Sequence, residues 1–177
     1  FPFALLVLLM AQYNRIDTVV IERILPAETG KVQAGIYAQA YRLLDAAMMI
    51  AYLFAVLLLP LFAWMIKRKE PVEKLVRLSF SLLFTVSVIS AAASWFYSSE
   101  MMRWLYPKNN TELPGDYIAR IEESAHIFQL LMFCFIAIST TYVFGTLLTA
   151  NGNLKQLNMV AGSGVIISLT LNLILVP

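Results

Sequence analysis

Charged residues are missing from four long stretches of the chain: 46–66, 78–97, 127–150 and 157–176. Each is about 20 residues or more, the length a helix needs to cross roughly 30 Å of hydrocarbon. A shorter uncharged stretch, Phe1 to Asn14, opens the chain. The polar residues around these blocks predict five helical spans, at about 1–25, 33–66, 74–97, 124–150 and 154–176. Pro26 closes the first, and Pro60 falls inside the second, where a proline kinks a helix. The sequence "TANGN", 149–153, predicts a tight turn between the fourth and fifth spans, with Asn-Gly as the breaker. The fold class expected is therefore all-α, a polytopic membrane helical bundle.

Composition agrees with the pattern. Of 177 residues 60% are hydrophobic and 14% charged, and mean hydropathy is +0.74; a soluble domain carries about 25% charged residues. The chain opens on Phe-Pro-Phe and closes on "NLILVP", so it reads as a piece of a longer protein, with no signal peptide. Orientation follows from the loops, because short loops rich in Lys and Arg stay cytoplasmic. Lys67, Arg68, Lys69, Lys74 and Arg77 stand against Glu70 and Glu73 between spans two and three, which places that loop inside. The stretch 98–124 holds Arg103, Lys108 and Arg120 against Glu100, Glu112, Asp116, Glu122 and Glu123, which places it outside. It reads as a long connection, with Trp104, Tyr106 and Tyr117 suited to a membrane–water boundary and 117–129 as a helical lead-in to the fourth span. Asn109-Asn110-Thr111 matches a glycosylation sequon and also reads as a polar turn before Pro114-Gly115.

The first span carries the sharpest chemistry. At about 100° per residue, and with Arg15 at zero, Asp17 falls near 200°, Asn14 near 260°, Thr18 near 300° and Glu22 near 340°. Tyr13, Ile16, Val19, Val20 and Ile24 take the other side. Arg15 lies about 15 Å below Leu25 at 1.5 Å per residue, close to mid-membrane. A charge at that depth costs at least about 2.5–3.5 kcal/mol, so the stripe must face another helix or a watery cavity. Arg15 and Asp17 are too far apart around the helix to pair with each other. Two readings follow: an ion pair with another span, or a hydrophilic pathway in which Arg15 receives an anionic group.

Arg42 and Asp45 share a face three residues apart, near the outer boundary of the second span. They read as an interfacial salt bridge or as part of the pathway. Tyr37 and Tyr41, four apart, read as a sugar-binding wall or an aromatic belt. Ala161 to Gly164, "AGSG", offers small residues for close helix approach, and lacks the lysine of a phosphate loop. His126 reads as an interfacial histidine in preference to a proton relay, Asn172 as making an interhelical hydrogen bond, and Cys134 as a lone cysteine in an apolar run. There is no nucleophile–base set and no metal-ligand spacing, so neither enzymatic chemistry nor a cofactor is expected, and no nucleic-acid partner.

The segment "RIDTVVIERIL…ETGKVQAGIYAQAYRLLDAAMMIAYLFAVLLLPLFA" resembles the start of the second half of a polysaccharide flippase of the multidrug/oligosaccharidyl-lipid/polysaccharide exporter superfamily. The likeness is carried by Arg15, Asp17, Gly35, Tyr37, Ala40 and Arg42. "LLTANGNLKQLNMV…LNLILVP" is similar to a later stretch of that family. The resemblance implies twelve or more helices in two six-helix halves, alternating access by rocking, and a fragment corresponding to helices seven to eleven. It implies a lipid-linked anionic glycan as cargo, bound by Asn14, Arg15, Asp17, Tyr37 and Arg42 and moved across the bacterial inner membrane. The partners implied are membrane lipids, the missing half of the same chain and polysaccharide-assembly proteins. The long connection between spans three and four departs from the family. Two other functions remain open: a multidrug-type exporter of cationic compounds, in which Asp17 would dominate, and a non-transporting scaffold of a polymer-assembly complex.

Overall fold

A computed structural model describes residues 27–110 and 112–175. The first expected span, with Pro26, lies outside the described residues. Within them the chain forms four helices: α1 (Ala27–Lys67), α2 (Glu73–Leu105), α3 (Pro114–Ala150) and α4 (Leu154–Leu175), and all regular structure among the described residues is helical. Three of these, Thr29–Lys67, Glu73–Leu105 and Pro114–Ala150, are long and apolar enough to cross a membrane.

Three helix ends differ from the sequence expectation. α1 is already helical at Ala27, the first described residue, ahead of the expected start near Gln33; α2 continues past Tyr97 to Leu105, and α3 begins at Pro114 instead of near Ser124. The long connection expected over 98–124 thus shrinks to 106–113. The physical reason is that hydropathy marks only the hydrocarbon-crossing part of a helix, whereas extending a formed helix costs little per residue. Here the extensions also gain packing. Ser98 and Met102 on α2, and Ile121, Ser124 and Ala125 on α3, are buried. Pro114 opens α3 at a position where its missing N–H costs nothing. α1 runs on through Pro60.

α3 is the shared neighbour of the other long helices. The contacts that join Gln39 to Ser124 and Tyr52 to Tyr142 show α1 running parallel to it. Those joining Ser98 to Gln129, Trp95 to Phe133 and Phe80 to Phe144 show α2 running antiparallel. The buried stripe of α2 is built from small residues, Ser79, Ser87, Ala91, Ser94 and Ser98, with Leu83 and Met102. That of α3 is bulkier, with Ile121, Phe128, Met132, Phe135 and Val143. Small faces let helix backbones approach closely, which in a membrane replaces the hydrophobic drive. The buried hydroxyls cost little, because Ser87, Ser94 and Ser139 donate to carbonyls of Phe84, Ala91 and Ile136 on their own helices. The outward faces carry large apolar residues, such as Met49, Ile89, Phe96 and Trp104.

Both turns at the basic end close with the same hydrogen-bond pattern. After α3, Gly152 stands at φ 75° and donates to Thr149 O, while Asn153 donates to Leu148 O. This is a Schellman cap, and it makes the tight turn expected at "TANGN". After α1, Lys69 stands at φ 57° and donates to Ile66 O, while Glu70 donates to Met65 O. Here a lysine occupies the position that glycine favours.

Candidate functional site

Asn14, Arg15 and Asp17 lie outside the described residues. Tyr37 and Arg42 lie on α1. Tyr37 stacks on Tyr41, with ring centroids 5.7 Å apart and planes 29° apart, as their i,i+4 spacing allows. Arg42 and Asp45 are both exposed. The salt bridge between them that their spacing permits does not form, and neither takes part in an ion pair among the described residues. Both project from the side of α1 opposite its buried stripe of Ile36, Ala40, Leu44 and Ala51.

A hydrogen-bonded polar cluster at this end of the bundle is one that the sequence does not advertise. Arg120, near the start of α3, donates from Nε to Glu112 Oε1 at 2.8 Å and from Nη2 to Glu112 Oε2 at 3.0 Å. Its Nη1 donates to Gln39 Oε1 on α1 at 3.1 Å. Ser124 Oγ donates to the same Gln39 oxygen at 3.2 Å. Tyr106, just past α2, donates its hydroxyl to the Gln39 carbonyl at 3.2 Å. The Arg120 guanidinium also lies over the Tyr117 ring, 5.5 Å from its centroid. Donation from Arg120, more than the nearby positive charge, holds the Glu112 carboxyl below its ordinary value. The cluster therefore ties α1, the end of α2, the 106–113 loop and α3 together. It consumes the fork of Arg120, so its chemistry is that of a clasp and not of an anion receptor. Its one legible signal was the i,i+4 pair Arg120 and Ser124; Gln39 and Glu112 lie far away in sequence.

A second polar contact joins α2 and α3: Gln129 Nε2 donates to Ser98 Oγ at 2.8 Å and to Trp95 O at 3.1 Å. His126 is exposed, as is Cys134. Asn109 sits in a turn, its carbonyl accepting from the Glu112 N–H and its Oδ1 from the Asn110 N–H. Within "AGSG", an added Cβ at Gly162 would meet nothing within 4 Å among the described residues. α4 meets α3 near Gly145, with Leu157 Cδ1 3.9 Å from where a Cβ would stand. The side chain of Asn172 lies outside those described. Among the described residues no three His, Cys, Asp or Glu side chains are grouped to hold a metal ion.

Compared with known families, known proteins and solved structures, the chain matches none.

Proposed function

We propose that this chain is part of the second half of a membrane transporter that flips a lipid-pyrophosphate-linked oligosaccharide across the bacterial inner membrane by alternating access. The observation that carries the reading is Arg42, a permanent cation exposed on α1 with no ion-pair partner among the described residues, on the same helix as the stacked Tyr37–Tyr41 pair. A pyrophosphate needs such a cation, and arginine stays charged and grips phosphate with a planar fork. Aromatic faces on the same helix suit a sugar. Arg15 and Asp17, with Asn14, supply the deeper part of the pathway in this reading, and the five spans of this chain are joined by further helices of the same protein. The three long apolar helices support a membrane setting.

The experiment is export of surface polymer in cells that depend on this protein. Arg15→Ala and Arg42→Ala each abolish export while the protein still inserts, and Arg15→Lys leaves a partial activity that separates charge from fork geometry. Full export by both alanine variants refutes the reading. Drug accumulation that rises on loss of Asp17, with export untouched, points to the multidrug exporter. Tolerance of a neutral pair at Arg15 and Asp17 points to the scaffold.

A further inference from the structure

α2 and α3 leave an apolar groove of about 300 Å³ between them. Ala91 and Ala92 form its floor, where short side chains leave space. Trp95 and Phe133 wall it, meeting edge to face at 5.7 Å and 77°, and Val88 and Phe96 lie along it. The uncharged run 78–97 of α2 is centred near Val88. From Val88 to Arg103 is about 22 Å, the depth of one leaflet with its headgroups, half of about 40–45 Å. At about 100° per residue, with Ala92 at zero, Arg103 falls near 20° and Glu100 near 80°. With Phe133 at zero, Glu122 falls near 340° and His126 near 20°, whereas Glu123 and Asp116 fall near 80° and 100°. Arg103, Glu122 and His126 therefore share the groove's side of their helices. Of the other charged groups at this end, Arg120 and Glu112 are engaged with each other, and Lys108 lies in the 106–113 loop. Arg103 and Glu122 are exposed, and neither takes part in an ion pair among the described residues.

We propose that this groove seats one acyl chain of an aminophospholipid of the phosphatidylethanolamine class, with its phosphate on Arg103 and its ammonium on Glu122. An apolar groove left unfilled loses dispersion contacts along its lining, and in a membrane a lipid chain supplies them. The arginine fork suits a phosphate, and the carboxylate suits a primary ammonium. Their order along the membrane normal also fits. The antiparallel register of Ser98 with Gln129 and of Trp95 with Phe133 brings Arg103 level with about Ser124, so Glu122 stands about 3 Å further from the hydrocarbon. Helical side chains lean toward the N-terminus, which carries Arg103 toward the hydrocarbon and Glu122 away from it. In the headgroup, likewise, the amine lies beyond the phosphate. The site is distinct from Arg42 and does not depend on the transport reading.

Trp95, 51% exposed in the groove wall, is the reporter. The full-length protein, with its other tryptophans replaced by Phe (Trp64 and Trp104 among them), is placed in phosphatidylcholine vesicles. Chain-brominated phosphatidylethanolamine, phosphatidylglycerol or phosphatidylcholine is then added, and quenching of Trp95 fluorescence is read. The ethanolamine lipid half-quenches at a mole fraction about fivefold lower than either of the others, in the range an exposed ion pair supplies. Arg103→Gln raises that mole fraction about fivefold. Glu122→Gln removes the preference over phosphatidylglycerol, and Glu123→Gln, off the groove's side, changes neither. Three results overturn the proposal in the parent protein alone, whatever the variants do. They are equal quenching by the three lipids, a preference for phosphatidylglycerol, and quenching by none of them, which would show the groove covered by protein. A preference that survives both Arg103→Gln and Glu122→Gln overturns it as well.

Discussion

Glu112 and Arg120 meet as a two-pronged fork, with Arg120 Nε 2.8 Å from Oε1 and Nη2 3.0 Å from Oε2. The remaining Arg120 nitrogen reaches Gln39 on another helix. A connection that would otherwise hang between α2 and α3 is thereby fastened to α1.

Arg120→Lys keeps the charge but cannot reproduce the fork. The thermal midpoint in detergent should fall in the order parent, Arg120→Lys, Arg120→Ala. Gln39→Leu removes the acceptor shared by Arg120 and Ser124 and should cost about 1–2 kcal/mol, at about 1 kcal/mol per hydrogen bond. A lysine variant as stable as the parent would show that charge alone suffices.

The fork also sets a pH dependence. The Glu112 carboxyl is held below its ordinary value of 4.5, so as pH falls the unfolded chain takes up this proton first. The stabilisation is complete above 4.5 and fades as pH falls through the lower folded value. Hydrogen exchange over 106–113 should be slow and level from pH 7 to 5, after correction for intrinsic rates, and should lose protection below 4.5. Glu112→Gln should remove this step. A step that survives in the glutamine variant would assign it to another group.

Lys69 and Gly152 hold the same cap position with opposite suitability. A left-handed conformation costs a side-chain-bearing residue roughly 1–2 kcal/mol. Lys69→Gly should therefore raise the stability by about 1 kcal/mol, and Gly152→Ala should lower it by about 1 kcal/mol. Thermal unfolding in one detergent checks both signs.

Ala91 is 2% exposed in the buried stripe of α2, where a large residue would wedge the helix away from α3. Ala91→Leu should cost about 1–3 kcal/mol by overpacking. Ala92→Leu, one position round on the exposed side, should be nearly neutral. Equal effects at the two positions would refute this packing face.

Much of the fold was legible in the uncharged runs. The spans near 46–66, 78–97 and 127–150 fall inside α1, α2 and α3, and "TANGN" is the cap between α3 and α4. The amphipathic extensions were not legible as such, because residues such as Ser98, Glu112 and Arg120 look like loop composition when read locally. The open state of Arg42 was not legible either, since its spacing to Asp45 fits a bridge equally well.

The sequence by itself determined that this chain is helical and suited to a membrane, because long apolar blocks leave the backbone no way to satisfy its hydrogen bonds except within helices. Tertiary structure alone decided that α3 is the helix the others share, that Gln39 meets Arg120 and Ser124, and that Arg42 stays unpaired among the described residues. Those outcomes depend on which faces of distant helices come together, and a periodicity of 3.6 residues says where a face is but not what it meets.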